Sequence, residues 1–156
     1  MNISSEITER NAYKTDIAKR YTAFLSQFPE IFSDLIKGSD FDFAIYDSLD
    51  AYDDKAPIDS FNVLRNGLGI DIIPGKAYDA DLELALSTKA VEKLIQTSTK
   101  EEYAQLLGSF YNEPDEDNGW IDFILYKRTQ TIIDMGYGKF AKTAGILEDE
   151  DAVYSM

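Results

Sequence analysis

The segment DFDFAIYDSL, residues 40–49, decides the fold class. Phe41, Phe43 and Ile45 alternate with the residues between them, and a period of two is typical of a strand that buries one face. The stretch before this segment places its apolar residues at steps of three and four, which is the period of a helix face. The change of period predicts a domain that contains both helices and strands.

Two helices are predicted upstream of this strand. The first covers about residues 5–26, where the apolar residues fall on one helix face. The second covers FPEIFSDLIKG, residues 28–38, with Pro29 in its first turn and Gly38 as its stop. An N-terminal helical pair therefore precedes the sheet.

Further strands are predicted downstream of the same segment. FNVLRNGLGIDIIPG, residues 61–75, indicates two short strands around a glycine-marked turn. YDADLELAL, residues 78–86, alternates leucine and alanine with acidic residues and predicts one more strand. Three or four short antiparallel strands are thus expected between residues 41 and 86.

Three helices are predicted after the sheet. Ser87 or Thr88 precedes the first, and Thr99 with Glu102 forms a capping-box pattern at the start of the second. The third covers residues 119–135, where apolar residues again fall on one side.

These elements together predict one α+β domain over residues 1–146. It contains an N-terminal helical pair, a small antiparallel sheet and C-terminal helices that cover one face of that sheet. Residues 147–156 form an acidic segment, which we expect to be a flexible tail.

Composition limits the chemistry that the chain can perform. The 156 residues are 44% hydrophobic, which is enough for a core, but they include no cysteine and no histidine. Disulfides, thiolate nucleophiles, and the triads and zinc sites that depend on histidine are therefore excluded. No segment approaches the roughly 18 apolar residues of a membrane span. We expect a cytoplasmic protein that has no cofactor and does not contact a membrane.

The negative charge is concentrated in two blocks. Residues 38–83 hold eleven acids and three bases, a net charge of −8, and residues 113–156 hold ten acids and four bases, a net charge of −6. The remaining residues are neutral overall, so the two blocks account for the whole formal charge of −14. Segregated acid attracts basic partners and repels nucleic acid, so direct nucleic-acid binding is not expected.

These observations predict a small acidic protein that inhibits or masks a basic protein. By analogy of charge and size, an immunity protein that blocks a nuclease toxin, or a DNA mimic that occupies a nucleic-acid-binding protein, would act in this way. Aromatic side chains beside acids are favoured at binding hot spots. The predicted contact residues are Asp47, Asp50, Tyr52, Asp53 and Asp54 in the first block, and Glu113, Asp115, Glu116, Asp117 and Trp120 in the second.

The segment NEPDEDNGWIDF, residues 112–123, resembles a calcium loop in composition. With Gly119 at the sixth position of an EF-hand, Pro114 takes the first position and Leu125 the twelfth, so both essential carboxylates are missing. We therefore interpret the segment as the start of a helix, with surplus acids that belong to the contact surface.

Two other functions remain open from the sequence. Asp40 and Asp42 lie two apart on the predicted strand, where both carboxylates project from one face and could share a divalent metal for phosphoryl or nucleotidyl transfer. The chain could also be a structural or regulatory domain whose acidic surface serves only solubility.

Overall fold

The computed structural model of the chain describes residues 13–67, 69–77 and 79–146. Part of the first predicted helix and the whole acidic tail lie outside the described residues. The elements, in chain order, are α1 (Asp16–Gln27), a 3-10 helix (Pro29–Phe32), β1 (Asp40–Tyr46), α2 (Leu49–Asp53), β2 (Asp59–Arg65), β3 (Ile70–Pro74), β4 (Leu82–Ser87), α3 (Thr88–Leu94), α4 (Lys100–Asn112), β5 (Ile121–Leu125), α5 (Thr129–Ile132), a wider helical turn (Ile133–Tyr137) and α6 (Gly138–Thr143).

The five strands form one sheet in the order β3-β2-β1-β4-β5. The α+β class predicted from the sequence is confirmed. Three of the four strand pairs are antiparallel, as expected, but β1 and β4 are parallel, with Phe43 opposite Leu84. The sheet is therefore mixed. Alternation along a strand identifies its buried face and carries no information on the direction of its neighbour.

The two faces of the sheet differ in chemistry. Phe41, Phe43 and Ile45 of β1 belong to the main core, together with residues of the helices. Asp42 and Tyr46 project from the opposite face, and both are buried as well. The alternating pattern predicts that β1 is half-buried, but the structure covers it on both faces.

The predicted helix over residues 119–135 is wrong in its first half. Residues 121–125 form strand β5, which pairs with β4, and helix begins only at Thr129. The preceding acidic segment is a tight turn, closed by hydrogen bonds in both directions between the backbones of Asp115 and Gly119, at 2.8 and 3.1 Å. Gly119 has a φ of 130°, which favours glycine and does not start a helix. The surplus acids therefore belong to a turn and not to a helix start.

The two middle helices begin where the capping patterns predict. The Ser87 hydroxyl accepts a hydrogen bond from the Ala90 backbone N–H, at 3.2 Å, and the Thr99 hydroxyl accepts one from Glu102, at 3.0 Å. The Glu102 carboxylate in turn accepts from the Ser98 backbone N–H. These side chains satisfy N–H groups that have no partner within a helix.

The C-terminal segment, residues 129–146, is helical but interrupted at its centre. Gly136 has a φ of 101°, outside the helical region, and its α-carbon packs against the backbone of residue Asp34. The Met135 carbonyl accepts a hydrogen bond from the Ile36 N–H, at 2.9 Å. This segment, which we call the lid, is thereby attached to the N-terminal region and lies over the core face of the sheet.

Candidate functional site

The eight predicted acidic contact residues are all exposed, and the two blocks meet in space. The Glu116 carboxylate accepts a hydrogen bond from the Leu49 backbone N–H, at 3.0 Å, and so joins the acidic turn to the start of α2. Asp115 accepts from the N–H groups of Asp117 and Asn118 within the turn. Residues separated by more than sixty positions thus form one surface.

The acids of this surface carry no internal counter-charge among the described residues. The ion pairs found there are Arg20–Asp16, Lys76–Glu83, Lys100–Asp34 and Lys127–Asp81. Each of them uses acids outside the predicted contact set. The surface therefore presents concentrated negative charge to solvent.

The two predicted aromatic anchors lie beneath this surface. Trp120 is buried, with 1% of its area exposed, and its ring packs 5.2 Å from that of Tyr52 and 6.1 Å from that of Tyr46. Tyr52 is half-buried, and its hydroxyl donates to the Asp122 carboxylate, at 2.6 Å. Trp120 supports the surface from below and does not present a ring to a partner.

Asp40 and Asp42 do project from one face of the sheet, as the metal hypothesis requires. The side-chain amide of Asn62 donates to both carboxylates, and the Asp42 carboxylate also accepts from the Ala77 N–H, at 3.0 Å. A metal between the two acids would have to displace this amide. Within the described residues, no group of three or more acids is arranged to hold a metal ion.

The other buried acids of this face attach flanking segments to the sheet. Asp81 accepts from the Asp40 backbone N–H, from Lys127 and from the Tyr137 hydroxyl, the last at 2.9 Å. Glu83 pairs with Lys76, at 2.6 Å. A polar pocket of about 350 Å³ lies beside these groups. Its two lysines are already engaged by the buried carboxylates, so the described residues leave no free cation in this pocket.

Burial raises the pKa of Asp42, and the nearby charges of Asp40 and Glu83 raise it further, while the hydrogen bonds from Ala77 and Asn62 lower it. The folded state therefore disfavours the charged form, and stability is lost as the pH rises through the folded pKa.

We predict that Asp42→Asn raises the free energy of unfolding at pH 7, and that this gain vanishes at a pH below the unfolded pKa. Urea unfolding of the wild type and the variant, at pH 7 and at the lower pH, measures this gain. A variant that is less stable than the wild type at pH 7 would contradict a raised pKa for Asp42.

An apolar cavity of about 260 Å³ lies between the core face of the sheet and the helices. The sheet contributes alternate residues of β1, β4 and β5, and α4 contributes Tyr103, Leu107 and Tyr111 at four-residue steps. The lid closes the third side. The lining residues are Phe32, Leu35, Phe41, Phe43, Leu82, Leu84, Tyr103, Leu107, Tyr111, Phe123, Leu125, Thr129, Ile132, Ile133, Tyr137, Gly138, Phe140, Ala141 and Ile146.

The cavity reaches the surface near the end of α4. Tyr111 and Leu125 are lining residues, yet 38% and 43% of their areas are exposed. The deeper lining residues, such as Phe43 and Leu107, are almost fully buried. No charged side chain lines the cavity among the described residues. The geometry is that of an apolar chamber with a mouth at one edge of the sheet.

Sequence reasoning identified many of these residues as core but did not detect the cavity. Period-two and helical patterns show which side chains face inward, and they do not show whether those side chains fill the space. The glycines at 136 and 138, which lie in the lid, are a local signal of irregular packing.

No family model, no curated protein and no solved structure matches this chain. Among the described residues, none of the helices has the length and apolar character needed to cross a bilayer.

Proposed function

We propose that this protein binds one small apolar ligand in the cavity between its sheet and its lid. The observation that carries the proposal is a chamber of about 260 Å³ that, in the part of the chain that the structure describes, is lined by no charged side chain. Binding sites for small molecules are concave, mostly apolar and already formed in the free protein. The proposed function is reversible binding.

The size of the cavity argues against incidental loose packing. Voids in protein interiors are few, and those larger than a water molecule are rare. Apolar walls that stand apart lose the packing contacts that stabilise a core, and the inner lining of this cavity is almost fully buried although its mouth is open. An occupant that replaces the missing contacts accounts for a cavity of this size.

The volume also limits the ligand. An apolar cavity of about 150 Å³ holds benzene, so the volume here corresponds to a molecule of about ten heavy atoms. A longer molecule would extend past Tyr111 and Leu125 into solvent. The ligand is therefore expected to be apolar along its buried part.

Titration with 2-phenyl-1-butene, a hydrocarbon of suitable size, tests the proposal. We expect saturable binding at one site per chain, with a negative heat-capacity change from the burial of apolar surface. Isothermal titration calorimetry at several temperatures gives both quantities. Absence of saturable binding would refute the proposal.

A second function is favoured by the meeting of the two acidic blocks. We propose that the joined surface binds a basic protein, such as a nuclease or a nucleic-acid-binding protein, and thereby masks it. Its support is that the exposed acids adjoin through Glu116 and have no ion-pair partner among the described residues. The lack of cysteine fits a reducing compartment, so we propose a cytoplasmic location.

Amide substitution of the first block tests this second function. The test variant changes Asp47, Asp50, Asp53 and Asp54 to Asn, and a control variant of equal charge changes Asp71, Asp79, Glu92 and Glu101 to their amides. We predict that basic proteins captured from lysate at low salt elute at high salt, and that only the test variant loses them, because its acids form the contact. Equal capture by both variants would contradict the proposal.

A further inference from the structure

Two tyrosines meet at the inner end of the cavity. Tyr21 of α1 and Tyr103 of α4 are buried, with 0% and 1% of their areas exposed, and their hydroxyl groups form a hydrogen bond with each other. The Tyr21 ring packs edge-on against Phe43 and Phe61, at centroid distances of 5.6 and 5.7 Å. Tyr103 lines the cavity, whereas Tyr21 lies behind it.

One O–H hydrogen of this tyrosine pair has no acceptor among the groups that the structure describes. Each phenol carries one O–H hydrogen, and the bond between the two oxygens uses only one of them. Among the described residues, neither hydroxyl has any other hydrogen-bond partner. A buried O–H group without an acceptor is destabilising, so an acceptor supplied from the cavity would stabilise it.

Tyr137, another polar residue on the cavity wall, has no such unused hydrogen. The Tyr137 hydroxyl also belongs to a lining residue, but it donates to Asp81. Burial raises the pKa of Tyr103, so its hydroxyl keeps its hydrogen at physiological pH. The phenol pair is therefore a lasting donor on the wall of a chamber that is lined mainly by apolar side chains.

We propose that the ligand carries one neutral hydrogen-bond acceptor at its buried end and that the Tyr103 hydroxyl donates to it. This inference rests on the proposed function and names the ligand class, an apolar body with a carbonyl, ether or hydroxyl oxygen. A carboxylate is disfavoured at this depth because no cation lines the cavity within the described residues. In this arrangement the Tyr21 hydroxyl donates to the Tyr103 oxygen, which leaves the Tyr103 hydrogen for the ligand.

A matched pair of probes tests the inference. Propiophenone and 2-phenyl-1-butene have the same shape, and they differ by a carbonyl oxygen in place of a methylene group. Calorimetry gives the ratio of their dissociation constants for the wild type, Tyr103→Phe and Tyr21→Phe. We expect the preference for the ketone to fall about tenfold in Tyr103→Phe and to change by less than about twofold in Tyr21→Phe, which keeps the donor on the wall.

The infrared carbonyl band of bound propiophenone gives a second readout. A hydrogen bond lowers its frequency, so we expect a lowered band in the wild type and in Tyr21→Phe, and a band at the frequency found in hydrocarbon solvent in Tyr103→Phe. An unchanged ratio and band in Tyr103→Phe, with both probes bound, would overturn this inference alone. Failure of both probes to bind the wild type would overturn the proposed function as well.

Discussion

Replacing Ala141 with phenylalanine is expected to weaken ligand binding strongly while making the protein more stable. Ala141 lies on α6 of the lid, and its side chain lines the cavity. A phenyl ring there occupies more than half of a chamber that holds about ten heavy atoms. We expect the affinity for 2-phenyl-1-butene to fall at least about tenfold. Filling the cavity is also expected to raise the free energy of unfolding by about 0.5–2 kcal/mol.

The opposite signs of the two effects make this prediction specific. A misfolded variant would lose both binding and stability, whereas a filled cavity loses binding and gains stability. Thr143→Phe is the matched control, because it adds the same ring to an exposed position of the same helix. Calorimetric titration of both variants measures the ligand affinity, and urea unfolding measures the free energy of unfolding. Normal affinity in Ala141→Phe would contradict the location of the site.

Replacing Gly136 with alanine is expected to cost about 3–4 kcal/mol of stability. A β-carbon at this position would lie 1.9 Å from the Asp34 carbonyl oxygen, and the φ of 101° is unfavourable for any residue with a side chain. The backbone of the lid must therefore move away from the loop that carries Asp34. Because the lid forms one wall of the cavity, probe affinity should fall with stability.

Gly145→Ala separates the two causes of that loss. Gly145 also has a positive φ, of 78°, but apart from its chain neighbours no atom of the described residues lies within 4 Å of the position that its β-carbon would take. We expect this control to cost only the backbone strain, about 1–2 kcal/mol, and to leave probe affinity unchanged. Thermal and urea unfolding of both variants provide the comparison. Equal losses in the two variants would show that the contact between the lid and Asp34 is not tight.

Local patterns predicted those parts of the fold that local interactions determine. Alternation located β1, and hydroxyl residues before apolar faces located the starts of α3 and α4. The acidic stretch before Trp120 was misinterpreted because Asp and Asn are favoured both at helix starts and in tight turns. The pairing of β5 with β4, and not propensity, selected the strand.

The candidate site depended on contacts that no local pattern encodes. The meeting of the acidic blocks depends on long-range contacts, such as the hydrogen bond between Glu116 and Leu49 and the packing of Tyr52 on Trp120. The cavity depends on how far the lid stands from the sheet, which is set by contacts such as that of Gly136 with Asp34 and that of Tyr137 with Asp81. The inward-facing residues were predictable, and the space between them was not.

A crystal structure of the protein soaked with 4'-bromopropiophenone tests the central claim most directly. Bromine scatters anomalously, so its position can be located without reference to the rest of the ligand. We predict one strong anomalous peak within the chamber bounded by Leu84, Leu107 and Ile132. A probe found only on the outer surface, with the chamber empty or filled by rearranged side chains, would contradict the account.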